Sequence, residues 1–147
     1  MVRQSRRWMV PTMAAVVLVS TGCGGGGGGT VDVTLQEFAV VPAGPSVGSG
    51  EVTFNATNKG PDDVHEFVVF KTDLSPVDLP TNPDGSVNEE GEGIKLIGEI
   101  EDIPVGETQS VTLDLESGSY VLICNIYTKS EKESHYQEGM RTSFTVE

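Results

Sequence analysis

Short apolar segments, each separated from the next by glycine, proline, asparagine or aspartate, are the feature that most restricts the fold. In several segments apolar and polar residues alternate, as at Val52, Phe54 and Ala56, which is typical of strands with one buried face. No segment carries a sustained apolar stripe with the helical period, so helix is limited to a turn or two. The predicted strands are residues 31–40, 51–57, 64–71, 94–100, 108–115, 119–126 and 142–146. The pattern predicts an all-β protein, a Greek-key β-sandwich of about seven to eight strands.

Residues 73–93, which we name the excursion, interrupt this pattern. Pro76, Pro80 and Pro83 prevent a continuous strand or helix there. The acidic residues near its end offer oxygen ligands for calcium but lack the regular alternation of an EF-hand loop. They are Asp84, Glu89, Glu90 and Glu92. We predict a solvated loop that leaves the sandwich, with a calcium site as the alternative.

The first 22 residues are predicted to be a signal peptide. Three arginines and no acid precede an apolar run over residues 8–19, which is shorter than the roughly 20 residues of a membrane-spanning helix. The residues before Cys23 are small and resemble the end of a bacterial lipoprotein signal, in which that cysteine becomes lipidated and N-terminal after cleavage. An ordinary secreted chain cut nearby is the alternative, and Arg6-Arg7 also resembles a twin-arginine signal.

The glycine run after Cys23 predicts a tether. Six consecutive glycines, residues 24–29, have no side chains to bury and behave as flexible chain. We therefore divide the chain into a signal peptide (1–22), a Gly-rich tether (23–30) and one folded domain (31–147). A single lipid chain binds a membrane only marginally, whereas the lipoproteins that the signal resembles carry several. The expected location is the bacterial cell envelope, periplasmic or otherwise extracytoplasmic, with membrane contact through the lipid anchor alone.

The net charge of the chain limits the classes of partner that it can bind. The formal net charge is −13, and removal of the three signal-peptide arginines takes it to −16. Such acidity argues against nucleic acid, which is bound by lysine and arginine at its phosphates. It favours steering toward proteins with basic docking surfaces. The alternative is that the charge only keeps a tethered protein soluble.

Residues that bind soft or borderline metals are scarce after the signal peptide. The remaining chain has two histidines, His65 and His135, one methionine, Met140, and one cysteine besides Cys23, namely Cys124. A leftover cysteine in an exported protein has no internal partner for a disulfide. A buried apolar cysteine is the alternative reading. One cysteine, two histidines and one methionine are nevertheless the ligands of a blue-copper site, in which methionine is a weak axial ligand.

Two stretches of the sequence resemble the copper-ligand regions of cupredoxins. The first is Asn58-Lys59-Gly60 followed by the strand from His65, and the second runs from Gly118 through Cys124 to Met140 and the final strand. The order His, Cys, His, Met is the cupredoxin order, and the resemblance covers most of residues 31–147. It implies one type 1 copper per chain, with His65, Cys124 and His135 as equatorial ligands and Met140 as the axial ligand. The alternative interpretation of each residue taken alone is that Met140 fills the core and that His65 is a structural histidine.

The chain departs from the cupredoxin pattern at two places. Many cupredoxins have asparagine after the first histidine, where it ties the two ligand loops together, whereas this chain has Glu66. Ten residues, 125–134, separate Cys124 from His135, where the family has only a few. Their charged centre predicts a solvent-exposed bulge, and the low cost of lengthening a loop predicts that the fold survives it. The bulge is expected either to shield His135 from redox partners or to form a docking surface.

The sequence therefore predicts a copper-binding, single-electron-transfer protein tethered in the bacterial envelope, with redox proteins as its partners. It is not expected to be an enzyme, because two histidines cannot supply the additional copper centres of multicopper oxidases. One alternative is an envelope copper carrier or resistance protein. Others are a copper-free cupredoxin-fold binding module and a redox-silent zinc site at Cys124, His65 and His135.

Overall fold

The computed structural model describes residues 27–147. The predicted signal peptide, Cys23 and the first glycines of the tether lie outside the described residues. Strand β1 begins at Gly28, so residues 28–30 of the segment predicted as tether are part of a sheet. No helix in the described part of the chain is long and apolar enough to cross a membrane.

The described residues form eleven strands and one helical turn in two main sheets. The elements are β1 (Gly28–Gln36), β2 (Ala39–Pro42), β3 (Ser46–Val47), β4 (Gly50–Asn58), β5 (His65–Lys71), β6 (Lys95–Ile103), β7 (Thr108–Leu115), β8 (Gly118–Ile123), β9 (Tyr127–Thr128), β10 (Glu133–Ser134), α1 (His135–Glu138) and β11 (Arg141–Val146). One sheet has the order β2-β1-β4-β7 and the other β3-β11-β8-β5-β6, while β9 and β10 pair separately. The predicted all-β sandwich is confirmed. The single predicted strand 31–40 is divided into β1 and β2, and the other additional strands, β3, β9 and β10, have two residues each.

The main core lies between the two sheets. The Phe54 ring on β4 packs against Phe67 on β5, with centroids 5.2 Å apart, and against Phe144 on β11 at 5.8 Å. Val52 and Ala56 flank Phe54 on the same face of β4, and all three are fully buried. The apolar residues of the alternating pattern therefore form the inward face of this strand.

Strands β5 and β8 are buried on both faces, which accounts for their almost continuous apolar sequences. Alternate residues of each, such as Phe67 and Leu122, belong to the core between the sheets. The intervening residues form a second core on the outer face of the sheet. That second core consists of Val68, Phe70, Leu79, Val87, Val121, Ile123 and Tyr136.

The second core corrects the prediction that the excursion is only a solvated loop. Leu79 and Val87 come from the excursion and are 5% and 1% exposed, because they cover the outer face of β5 and β8. Its acids do remain at the surface, with Asp84, Glu90 and Glu92 exposed. The excursion is thus a packed cover over one face of the sandwich.

The strand order brings distant parts of the chain to one end of the second sheet. β8 lies between β11 and β5 and is antiparallel to both. The starts of β5 and β11 therefore lie beside the end of β8. His65 begins β5, Cys124 follows β8 and Met140 precedes β11.

Candidate metal centre

His65, Cys124 and His135 converge at this end of the sheet. Their potential ligand atoms all lie within 4.8 Å of one another, and each residue is fully buried. The two imidazole Nδ1 atoms are 3.2 Å apart. The Cys124 Sγ atom is 3.5 Å from Nδ1 of His135 and 3.9 Å from Nδ1 of His65. The fold therefore brings together three of the four residues predicted as ligands.

These separations come within about 0.1 Å of the range expected for one metal ion held by all three residues. Metal bonds of about 2.0–2.1 Å to imidazole nitrogen and about 2.3 Å to thiolate give ligand atoms roughly 3.3–3.8 Å apart in trigonal or tetrahedral geometry. Two imidazole nitrogens and one thiolate are also the equatorial donors of a blue-copper site. The donor set and its spacing thus fit the copper that the sequence resemblance implies.

Met140 lies in the core beside this site, and its backbone is fixed to two of the candidate ligands. Its amide donates to the carbonyl of His135 at 3.0 Å, and its carbonyl accepts from the amide of Cys124 at 3.1 Å. Its side chain is fully buried. Gly139 makes this tight connection possible, because its φ is +131° and a Cβ there would lie 3.0 Å from the carbonyl oxygen of Phe38. The axial role of Met140 stays a prediction.

The long segment between Cys124 and His135 folds as a small hairpin. β9 pairs with β10, and the amide of His135 donates to the carbonyl of Ile126 at 3.0 Å. Ser134 caps the turn of α1 by accepting from the amide of Gln137. Residues 129–132 at the tip are exposed, as predicted, but Tyr127, Thr128 and Glu133 are half-buried and Ser134 is buried, so the predicted solvent-exposed bulge is limited to its tip. The insertion therefore closes on itself and returns His135 to a position beside Cys124.

Burial dominates the protonation chemistry of the three residues in the metal-free protein. It lowers the pKa of both His65 and His135, so both rings favour the neutral form that binds metal. It raises the pKa of the Cys124 thiol to about 12. The amide of Glu66 donates to Cys124 Sγ at 3.4 Å and partly offsets this. Metal binding at neutral pH must therefore displace the thiol proton.

Glu66, the residue that departs from the cupredoxin pattern, connects the two ligand regions. Its carboxylate accepts from the amide of Asn125 at 2.8 Å, which joins the strand of His65 to the residue after Cys124. Burial raises the pKa of Glu66 to about 7. The connection that many cupredoxins make with an asparagine is therefore made here by a half-buried glutamate.

Asn125 joins the excursion to the site, a link that the sequence did not reveal. Its side-chain oxygen accepts from the amide of Val87 at 2.6 Å, and its side-chain nitrogen donates to the carbonyl of Val87 and to Glu89, each at 3.0 Å. The residue directly after Cys124 is thereby held by the excursion on one side and by Glu66 on the other. Because Asn125 has no special spacing in the sequence, only the structure shows this role.

Carboxylates face the outer nitrogens of both histidines. Glu37 Oε1 lies 3.5 Å from His65 Nε2, and Asp63 Oδ2 lies 3.9 Å from His135 Nε2. Phe38 packs edge-on against the His135 ring, with centroids 5.3 Å apart, so no part of His135 reaches the surface. The sequence reasoning missed Glu37, Phe38 and Asp63, because nothing in their spacing relates them to the histidines.

No protein-family model and no curated protein matches the chain in sequence. Solved structures do match its fold. Dithionite-reduced auracyanin from Roseiflexus castenholzii has a TM-score of 0.57 and 19% identity, over 80% of this chain and 96% of its own. Auracyanin A from Chloroflexus aurantiacus has a TM-score of 0.55 and 19% identity, over 82% of this chain and 100% of its own. An azurin from Methylomonas sp. strain J has a TM-score of 0.52 and 20% identity, over 82% of this chain and 97% of its own.

The predicted resemblance to cupredoxins is confirmed at the level of the fold. Auracyanin and azurin are cupredoxins, and the similarity extends over most of the described residues. At 19–20% identity it shows the fold alone. The chemistry of this chain must be argued from its own residues.

Proposed function

We propose that this chain binds one copper ion in a type 1 site and carries single electrons. His65, Cys124 and His135 are its equatorial ligands and Met140 its axial ligand. The observation that carries the proposal is the convergence of three buried donors, with Nδ1–Nδ1 and Sγ–Nδ1 separations of 3.2, 3.5 and 3.9 Å. One of the structures with this fold, auracyanin A, is described as a "blue" copper protein.

The protein supplies a fixed set of donors in a dry environment. When bound, copper supplies a one-electron couple between Cu(II), which favours nitrogen, and Cu(I), which favours soft sulfur. His65 is held by β5, Cys124 by the bonds of its neighbour Asn125, and His135 by the hairpin and α1. Because these supports are hydrogen-bonded from several sides, the donors move little between oxidation states. A small rearrangement is what rapid electron transfer requires.

The burial of the donors favours electron transfer over copper delivery. All four proposed ligands are fully buried. Phe38 packs against the His135 ring, and Asp63 of the loop before β5 and Glu133 of the hairpin each place a carboxylate oxygen within 4.8 Å of a His135 ring nitrogen. A carrier must release its metal to a receiving site, whereas here the surrounding segments would have to open first. We therefore expect slow transfer of copper to chelators.

An acidic pocket outside the histidines supports the proposed partner class. It contains the carboxylates of Glu37, Asp62, Asp63, Glu131 and Glu133. Glu131 and Glu133 come from the hairpin, so the insertion adds negative charge to this surface, and the Glu133 carboxylate lies within 4.8 Å of a His135 ring nitrogen. A redox protein with a basic docking surface is the partner that such charge would steer.

The proposed location is the extracytoplasmic side of a bacterial membrane, with Cys23 as the lipidated residue. Its support is the signal-like sequence of residues 1–22 and the glycines after it. Metabolic labelling of the full chain with a radioactive fatty acid tests this, and Cys23→Ala is expected to abolish the label. Incorporation that survives Cys23→Ala would contradict the anchor.

The copper proposal is tested with residues 24–147, which include both sheets and the core. Titration with Cu(II) is expected to end at one copper per chain and to produce an intense visible thiolate-to-copper band. Cys124→Ser is expected to abolish that band while the near-ultraviolet circular dichroism of the fold remains. A colourless Cu(II) complex of the unsubstituted chain would contradict the proposed site.

A further inference from the structure

The outer nitrogens of the two buried histidines have no hydrogen-bond partner within the described residues. His65 Nε2 and His135 Nε2 are both unpaired, and so is Oε2 of the nearby Glu37. Buried polar atoms without partners are uncommon in folded proteins and call for an explanation. The other oxygen of the same carboxylate, Glu37 Oε1, lies 3.5 Å from His65 Nε2.

Glu37 is fixed between this site and the loop that leads into β5. Its Oε1 accepts from the amide of Asp63 at 2.7 Å and from the amide of Asp62 at 3.2 Å. Its own amide donates to the carbonyl of Gly60 at 3.4 Å. Only 11% of its side chain is exposed. The carboxylate is thereby held 3.5 Å from His65 Nε2 by contacts that do not involve the histidine.

We propose that Glu37 is a positioning residue for the copper site. Its carboxylate accepts the Nε2 proton of His65, which leaves the Nδ1 lone pair free for the metal. By fixing the amide of Asp63, Glu37 also holds a second carboxylate near Nε2 of His135. The effect of Glu37 on the reduction potential rests on the proposed copper site. Its effect on the tautomer of His65 does not, because the tautomer can be measured in the metal-free protein.

The direction of the redox effect follows from charge. A carboxylate that accepts from the outer nitrogen of a metal-binding imidazole fixes the ring and strengthens it as a donor. A nearby negative charge also stabilises Cu(II) more than Cu(I), because the oxidised site carries one more positive charge. Glu37 is largely buried, so solvent screens this interaction less than it screens that of an exposed carboxylate. Glu37 therefore lowers the reduction potential.

A purely mechanical role for Glu37 is the competing explanation. In that case the carboxylate would only brace residues 60–63 through the amides of Asp62 and Asp63. Glu37→Gln separates the two roles, since the amide oxygen still accepts from both amides while the negative charge is lost. Asp62→Asn is the matched control, because Asp62 lies in the same acidic pocket but is exposed and forms no hydrogen bond or ion pair with either histidine.

The redox test compares the reduction potentials of the copper-loaded wild type and both variants. Outer-sphere substitutions change metal affinity by roughly 10–100-fold. We expect Glu37→Gln to favour Cu(I) by at least about tenfold, which is an upward shift of about 59 mV for one electron. Asp62→Asn is expected to shift the potential by less than a third of this. Equal shifts in the two variants, or no shift in Glu37→Gln, would overturn the proposed contact.

The second test is made without metal. Long-range ¹⁵N–¹H correlation spectra of residues 24–147 report the tautomers of the two histidines, and we expect His65 to carry its proton on Nε2. A proton on Nδ1 of His65 would overturn the inference. If the wild type gives no blue copper complex, the proposed function fails, and the tautomer measurement then decides the inference by itself.

Discussion

Tyr136 offers a direct test of the coupling between the ligand loop and the excursion. Its hydroxyl donates to the carbonyl of Pro76 at 2.8 Å and accepts from the amide of Leu79 at 3.3 Å. The side chain follows His135 in α1 and is 1% exposed. Tyr136→Phe removes both hydrogen bonds, keeps the ring and leaves two backbone groups of the excursion unpaired.

The expected loss of stability follows from these two bonds. Each intramolecular hydrogen bond contributes about 1 kcal/mol net, and an unpaired buried group costs about 1–3 kcal/mol. We expect Tyr136→Phe to lower the free energy of unfolding of the copper-free protein by about 2–3 kcal/mol. At roughly 4 °C per kcal/mol for a domain of this size, the melting temperature falls by about 8–12 °C.

Urea unfolding of residues 24–147 measures this change. The midpoint is expected to fall while the slope of the transition is unchanged, because the same surface is exposed on unfolding. Tyr127→Phe is the control, since Tyr127 is half-buried in the hairpin and its hydroxyl has no hydrogen bond within the described residues. A loss below about 0.5 kcal/mol in Tyr136→Phe, or an equal loss in both variants, would refute the reasoning, since surface substitutions have effects of that size.

Three further predictions concern the surroundings of the site. Asn125→Ala removes the side-chain hydrogen bonds to Val87 and Glu89 and is expected to accelerate proteolysis within residues 73–93. An unchanged cleavage rate would show that other contacts hold the excursion in place. Replacing the exposed tip, residues 129–132, by a two-residue turn is expected to change the free energy of unfolding by no more than roughly 0.6 kcal/mol and to leave the visible band intact. Loss of that band would show that the tip shapes the copper site. Met140→Leu is expected to retain copper and raise its reduction potential in voltammetry, because a more apolar site with one donor fewer disfavours the more highly charged Cu(II). An unchanged potential would remove Met140 from the ligand set.

The sandwich could be predicted because alternation and turn residues mark most of its strands individually. β7 matches the predicted range, residues 108–115, and β5 and β8 show in their continuous apolar sequences that both faces are buried. β9 and β10 could not be found in this way, since two residues are too few to show a period. Their pairing depends on the closure of the loop between Cys124 and His135.

The cover over the second sheet was missed for a different reason. Leu79 and Val87 are isolated apolar residues among prolines, glycines and acids, so no pattern marks them as buried. Their burial requires an apolar surface on the outer face of β5 and β8, which exists only after the sheet has formed. Local sequence therefore predicted an irregular loop but not its packing.

The four candidate ligands could be named from composition because few other residues of their types exist in the chain. Glu37 could not, because it is one of many acids and lies far from His65 in sequence. Two features of the fold bring Glu37 to the site. The amide of Lys59 donates to the carbonyl of Leu35 at 2.8 Å, and the loop after β4 turns back over the end of β1. A residue whose role depends on such a contact has no signal in the sequence.

Reversible one-electron cycling of the copper-loaded protein tests the central claim most directly. Residues 24–147 with one equivalent of copper are reduced and reoxidised at a controlled potential while the visible band is recorded. The proposed rigid, buried site predicts a single one-electron transition, with full return of the band over repeated cycles and no copper in the dialysate. Loss of copper on reduction, or failure of the band to return, would contradict an electron-transfer site.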